Sequence, residues 1–165
     1  MISLRPLCPE DADSLLFWMN DPDTTRYLGY GFLKKRSREE VQELISLRLD
    51  GDLSGECYAI QDENGTYLGQ CELLLPDYRA KKAEVALIVL PAYRGKGVGK
   101  AALDRITRVA FEELGFRKLT LRCVSSNLPA LRLYEKAGFV REGRLKEDLW
   151  VDGKPEDVVL MAKFR

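Results

Sequence analysis

The sequence predicts one α/β (α+β) domain over residues 1–165, built on a mixed, largely antiparallel sheet of about seven strands with helices on both faces. An apolar strand, a glycine-rich turn, a helix and a second strand follow one another between 83 and 123, the order of a parallel crossover unit. Asn64-Gly65 is the strongest turn signal in the chain and predicts a tight hairpin. Two long segments after Gly138 predict a second antiparallel pair, joined through Asp152-Gly153.

The N-terminal part predicts a strand over 4–7 and a helix over 9–19 that begins with proline and acidic residues. A second helix over 38–50 is capped by Ser37, and its apolar residues share one face: Val41, Leu44, Ile45 and Leu49. The stretch between these helices is irregular. Its aromatic residues could line a substrate cleft or pack on the core, and both interpretations stay open: Tyr27, Tyr30 and Phe32.

The rest of the chain is predicted from short-range patterns. Apolar residues at helical spacing predict a helix over 101–114, and Asn127 or Ser126 can cap a helix that ends near Gly138. The predicted strands are 58–61, 66–75, 83–90, 118–123, 139–150 and 155–164.

Composition excludes several kinds of chemistry. The chain carries 26 basic and 26 acidic residues, a balance that argues against a nucleic-acid or anionic-membrane partner. It contains no histidine, which excludes Ser-His-Asp and Cys-His nucleophile pairs and histidine-ligated metals. Its four cysteines lack the paired spacing of a zinc site. We therefore expect a cytoplasmic protein that needs neither a metal nor a disulfide.

The glycine-rich turn is the most informative local motif. Arg94, Gly97 and Gly99 fill the pattern R-x-x-G-x-G at the start of a predicted helix, where backbone N–H groups can bind an anion. The dinucleotide pattern G-x-G-x-x-G fails because position 100 is lysine, and a P-loop fails because Ala101 follows Gly99-Lys100.

Two motifs together resemble the GNAT N-acetyltransferase superfamily. One is the R-x-x-G-x-G turn, which in that family holds the pyrophosphate of acetyl-coenzyme A. The other, from Asn127 to Phe139, matches N-x-x-A-x-x-x-Y-E-K-x-G-F. The similarity is greatest to the branch that contains ribosomal-protein N-terminal alanine acetyltransferases and spermidine acetyltransferases. It implies a site where two neighbouring parallel strands splay apart, with acetyl-CoA contacts at Leu87, Ile88, Val89, Arg94, Gly95, Lys96, Gly97, Val98, Gly99, Lys100, Asn127, Ala130 and Tyr134.

The resemblance also implies roles in the transfer. Tyr134 is the candidate acid that protonates the leaving thiolate, since a phenol is protonated at neutral pH. Backbone N–H groups within 87–89 are candidates for stabilising the thioester oxygen. Glu72 and Glu84, on strands flanking the site, could relay a proton from the amine or attract a cationic acceptor; the alternative is that both are ordinary surface residues.

Two questions stay open at this level. The acceptor could be a protein N-terminus, a polyamine or another small amine, and the residues that choose it are expected in 20–37 and in the strands after Gly138. The alternative to an enzyme is a catalytically silent acetyl-CoA-binding sensor or scaffold. A homodimer is also left open.

Overall fold

A computed structural model describes residues 1–29, 32, 34–51 and 53–165. Its seven strands form one sheet in the order β1-β2-β3-β4-β5-β7-β6, in which every neighbouring pair is antiparallel except β4 and β5. The strands are β1 (Ser3–Pro6), β2 (Glu56–Gln61), β3 (Tyr67–Asp77), β4 (Lys82–Val89), β5 (Lys118–Val124), β6 (Val140–Val151) and β7 (Lys154–Phe164). The predicted fold class is confirmed.

Among the described residues, five α-helices accompany the sheet: α1 (Ala12–Met19), α2 (Pro22–Thr25), α3 (Arg38–Leu49), α4 (Val98–Arg108) and α5 (Leu128–Lys136). Short 3₁₀ turns precede α1 at Pro9–Asp11 and follow β4 at Pro91–Tyr93, and a π-helical turn, Val109–Glu113, continues α4. Successive strand residues point to opposite faces, so Ile60 joins a core under α4 and α5 while Ala59 joins a second core under α1 and α3. The two buried cores confirm helices on both faces.

The elements differ from the predicted ones in three places. The α4 helix begins at Val98, three residues before the predicted start, because the glycine turn itself forms the helix entry. Residues Pro22–Thr25 form a short helix with proline in its first turn, within a region predicted as a break and irregular chain. Leu49 lies at the end of α3 and is half exposed, so the predicted apolar face of that helix ends earlier.

The parallel pair opens towards its carboxyl ends. Residues 82–84 of β4 pair with 118–120 of β5, and the pairing stops there, although both strands continue for several more residues. The unpaired ends diverge and leave a gap in the sheet, as the family resemblance implied. In the part of the chain that the structure describes, no helix is long and apolar enough to cross a membrane.

Candidate active site

Two cavities meet at the gap between β4 and β5. One, of about 890 Å³, lies between the glycine turn, the start of α5 and the β4 edge. The other, of about 780 Å³, extends between α1, α3 and the β6–β7 pair. We call them the donor cavity and the acceptor cavity. The residues that line both are Tyr27, Leu28, Leu87, Ile88, Arg122, Val124 and Tyr134.

Tyr134 lies at this junction. It is on the last turn of α5, the residue is 8% exposed, and its ring packs edge-on against Phe139 with 6.0 Å between the centroids. Its hydroxyl forms no hydrogen bond with the described residues. Burial raises the pKa of Tyr134, so the phenol keeps its proton throughout the neutral range. The chain therefore places a protonated donor where the two cavities join.

Cys123 shows what this environment does to a thiol. It lines the donor cavity on β5, beside Tyr134, and burial raises its pKa to about 11. The side chain is thus a neutral thiol at physiological pH and a poor nucleophile. A thiolate released into the same surroundings is disfavoured for the same reason, which makes a nearby proton donor useful.

The glycine turn forms one wall of the donor cavity. Gly97 precedes α4 with a φ of +81°, a left-handed conformation, and provides no capping side chain, so the first N–H groups of the helix keep their hydrogen-bonding capacity. A Cβ on Gly99 would lie 2.9 Å from Leu133 Cδ2, so a larger residue would require the Leu133 side chain to move. The turn is shaped to receive an anionic group at a helix N-terminus.

The charges on this turn are less available than the sequence suggests. The guanidinium of Arg94 donates to Val89 O at 2.9 Å and to Thr24 Oγ1 at 2.8 Å. Lys100 Nζ donates to both carboxylate oxygens of Asp104 at 2.6 Å. Lys96 lies over the Tyr93 ring, outside the cavity lining, and Val98 is buried in the core. Of the turn residues predicted to contact acetyl-CoA, Arg94, Gly95, Gly97, Gly99 and Lys100 line the cavity.

Sequence reasoning missed two basic residues on α5. Arg132 and Lys136 line the donor cavity and form no ion pair with the described residues. They are four positions apart, so they share a helix face, and that spacing inside the second motif was the signal that could have identified them. Asn127 and Ala130 also line the cavity, as predicted, and Asn127 Oδ1 accepts a 3.4 Å hydrogen bond from Ala130 N as the helix cap.

The open edge of β4 presents backbone groups to the junction. Leu90 N donates to Leu68 O on the β3 side, and successive amides alternate between the two edges of a strand. Leu87 and Val89 therefore direct their N–H groups to the unpaired edge, whereas Ile88 faces β3. Of the three residues predicted in this strand, Leu87 and Val89 are placed to donate to an oxygen in the gap.

Glu84 and Glu72 both line the acceptor cavity but differ in surroundings. Glu84 is half-buried on β4, its carboxylate forms no hydrogen bond or ion pair with the described residues, and burial raises its pKa despite the opposing charge of Arg122. Glu72 accepts from Arg48 Nη2 at 2.8 Å and from Gln70 Nε2 at 2.6 Å. Glu84 is thus the carboxylate free to take up a proton, and Glu72 is held in place.

The remaining wall of the acceptor cavity comes from the irregular segment. Tyr27 lines both cavities, and Phe32 lines the acceptor cavity while packing against Trp18 at 5.8 Å between centroids. The two predicted alternatives, cleft lining and core packing, therefore both apply to Phe32. Tyr30 falls outside the described residues. Glu40 and Glu43 on α3 also line the cavity, and the Glu40 carboxylate accepts a hydrogen bond from Ser37 N at 2.8 Å.

Comparison with known proteins identifies the family. Residues 2–140 match the family model described as the acetyltransferase (GNAT) domain. The chain belongs to the GNAT acetyltransferase family. It is an N-acetyltransferase that uses acetyl-CoA, and the resemblance noted in the sequence is confirmed.

Individual GNAT relatives cover almost the whole chain. The spermidine N(1)-acetyltransferase of Vibrio cholerae is 29% identical over 168 residues, which cover 99% of this chain and 95% of the relative. YdaF of Bacillus subtilis, provisionally named a ribosomal N-acetyltransferase, is 29% identical over 170 residues, which cover 99% of this chain and 91% of YdaF. A solved structure also superposes on this chain: the crystal structure of the Vibrio cholerae spermidine N-acetyltransferase in complex with CoA and spermine. The TM-score is 0.90 at 27% identity, and the superposition covers 99% of this chain and 95% of the other.

Proposed function

We propose that this GNAT enzyme acetylates a polyamine such as spermidine, by direct attack of the amine on the thioester of acetyl-CoA. The observation that carries the proposal is the pair of cavities that share Tyr134 in their lining, with a half-buried glutamate, Glu84, on the acceptor side. A cationic chain needs negative charge along its path. The acceptor cavity supplies it chiefly through Glu43 and Glu84, since Glu72 is paired with Arg48 and Glu40 with Lys34.

The arginines of this cavity weaken that negative potential only in part. Arg48 is paired with Glu72, and Arg122 is paired with Asp148 on β6. The charges of Arg48 and Arg122 are therefore locally compensated. A third arginine, Arg36, also lines the cavity. Glu84 remains as a carboxylate without an ion pair among the described residues. The similarity to the Vibrio cholerae enzyme, whose crystal structure contains spermine, supports the same class of acceptor.

Each protein group then has a defined task. A primary alkylamine is protonated at neutral pH, and Glu84 accepts its proton directly or through water so that the lone pair is free. The N–H groups of Leu87 and Val89 stabilise charge that develops on the carbonyl oxygen. The Tyr134 hydroxyl gives its proton to the sulfur that departs, and the second proton lost from the attacking nitrogen as the amide forms restores the phenol. Acetyl-CoA supplies the activated acetyl group.

The donor cavity is expected to hold the phosphates of acetyl-CoA between the first turn of α4 and the basic side chains of α5. The backbone N–H groups of the first turn of α4, which have no acceptor within the helix, provide hydrogen bonds, and Arg132 and Lys136 provide positive charge. All four cysteines are unpaired, in keeping with an enzyme of the cytoplasm.

A panel of acceptors tests the proposal. Acetyl-CoA is offered with spermidine, spermine, a peptide that begins with alanine, and free lysine, and released thiol is measured. We expect spermidine or spermine to give the highest kcat/KM. Preference for the peptide would replace the polyamine by a protein N-terminus, and tight acetyl-CoA binding without transfer to any amine would favour the sensor alternative.

A further inference from the structure

The Arg94 side chain bridges two segments that are distant in the sequence. Its Nε donates to Val89 O at the end of β4, at 2.9 Å, and its Nη2 donates to Thr24 Oγ1 at 2.8 Å. The Thr24 hydroxyl in turn donates to Asp21 Oδ2 at 2.5 Å. Every step of this chain is a charged or charge-assisted hydrogen bond, the stronger class.

Thr24 is the buried end of the bridge. It lies on α2 with 7% of its surface exposed, and the residues that follow α2, Tyr27 and Leu28, line both cavities. Another polar tie of this segment, the ion pair between Arg26 and Asp152, is largely exposed to solvent, where such pairs contribute little. Arg94 thus provides a polar link between the segment that carries the Tyr27–Leu28 wall and the end of β4.

We propose that Arg94 is a positioning residue for the acceptor side, acting through Thr24, rather than a direct ligand of the donor's phosphates. In this role it sets the wall formed by Tyr27 and Leu28 against the open edge of β4. The amine then approaches along a fixed path. The inference rests on the proposed function for its kinetic consequence, but the bridge itself can be tested without any acceptor.

The kinetic test compares two acetyl donors. Arg94→Ala and Thr24→Val are assayed with acetyl-CoA and with acetyl-pantetheine, which lacks the pyrophosphate. We expect each variant to lose about 10-fold in kcat/KM for spermidine with either donor, the effect of one charged hydrogen bond. The kcat/KM of the double variant should be about 10-fold below that of the unmutated enzyme, the same loss as in each single variant. It should not fall by about 100-fold, because both substitutions break the same bridge.

A direct phosphate contact predicts the opposite pattern. Arg94→Ala would then lose activity with acetyl-CoA and retain it with acetyl-pantetheine, and its effect would add to that of Thr24→Val. Either result would overturn the proposal. The matched control is Thr25→Val, which removes a hydroxyl from the same helix that bonds only the Asp21 carbonyl. We expect it to leave kcat/KM unchanged.

Amide hydrogen exchange tests the bridge without an acceptor. Exchange in residues 22–28 should become about 10-fold faster in Arg94→Ala and in Thr24→Val, and should be unchanged in Thr25→Val. Equal exchange in all four proteins would overturn the bridge even if polyamine acetylation is established. Faster exchange in the first two variants would support it even if spermidine is not accepted, so the two proposals fail separately.

Discussion

Arg48 Nη2 donates to Glu72 Oε2 at 2.8 Å across the inner part of the acceptor cavity, with both side chains more than four-fifths buried. The pair joins α3 to β3, and Gln70 binds the other oxygen of the same carboxylate. Both oxygens of the Glu72 carboxylate are therefore occupied by donors within the fold. This relationship separates the two glutamates that the sequence could not separate, and leaves Glu84 as the candidate base.

Substitution of Glu72 by Gln is therefore expected to act mainly on stability. Arg48 would be left without its charged partner in a largely buried position, and the free energy of unfolding should fall by about 1–3 kcal/mol. The kcat for spermidine should fall less than in Glu84→Gln. Urea unfolding and steady-state kinetics on the two variants check this. A larger kcat loss in Glu72→Gln than in Glu84→Gln would reverse the assignment.

Glu84 should produce a characteristic dependence of stability on pH. Burial raises its pKa in the folded protein above the 4.5 of a free glutamate, so the charged form is disfavoured by folding. Stability is therefore lost as pH rises through the folded-state pKa, and the loss is absent below about pH 4.5. Glu84→Gln should be more stable than the unmutated protein at pH 7, with the difference vanishing near pH 4. Thermal melts across this range measure it. A destabilised variant at pH 7 would contradict the assignment.

Gly97 tests the donor turn. Gly97→Ala places a Cβ in open space but at a φ of +81°, which costs about 1–2 kcal/mol. Gly65 has the same φ and the same open surroundings in a remote hairpin, so Gly65→Ala is the matched control. We expect similar stability losses in both, with weaker acetyl-CoA binding only in Gly97→Ala. Calorimetric titration of both variants decides this, and equal affinities would remove the turn from the binding site.

Arg132 and Lys136 are expected to supply the charge that the turn lacks. Replacing either by Ala should raise KM for acetyl-CoA by about 10-fold, the effect of one charged hydrogen bond, and leave KM for acetyl-pantetheine unchanged. Lys96→Ala, on the turn but outside the cavity lining, is the control and should change neither value. A tenfold effect in the control alone would assign the phosphate charge to the turn.

Local signals in the sequence predicted the fold well because each acts within a few residues. Ser37 caps α3 as predicted, within a capping box that includes Glu40, and Asn127 caps α5 through Ala130. The same reasoning could not separate Glu72 from Glu84, since Arg48 lies on another element, 24 residues away. It could not predict the hydrogen bond from Arg94 to Thr24 either, because Thr24 is 70 residues away. Side-chain pairing across elements depends on packing that no short pattern records.

Cys123 separates direct attack from an acetyl-enzyme route. Its thiol lines the donor cavity, but burial raises its pKa to about 11 and keeps it protonated. We expect Cys123→Ala to retain kcat within a few-fold and the unmutated enzyme to show intersecting lines in double-reciprocal plots. Parallel lines, together with loss of activity in Cys123→Ala, would establish an acetylated cysteine in place of direct attack.

The most direct measurement of the mechanism is kcat of Tyr134→Phe, with Tyr58→Phe, a tyrosine outside both cavities, as control. Tyr134→Phe keeps the ring packed on Phe139 and removes only the hydroxyl, which forms no hydrogen bond with the described residues. The account predicts a 10²–10⁴-fold lower kcat, the usual range for loss of a general acid (about 3–5 kcal/mol), with acetyl-CoA affinity and melting temperature nearly unchanged. An unchanged kcat in Tyr134→Phe would contradict it and assign protonation of the thiolate to solvent.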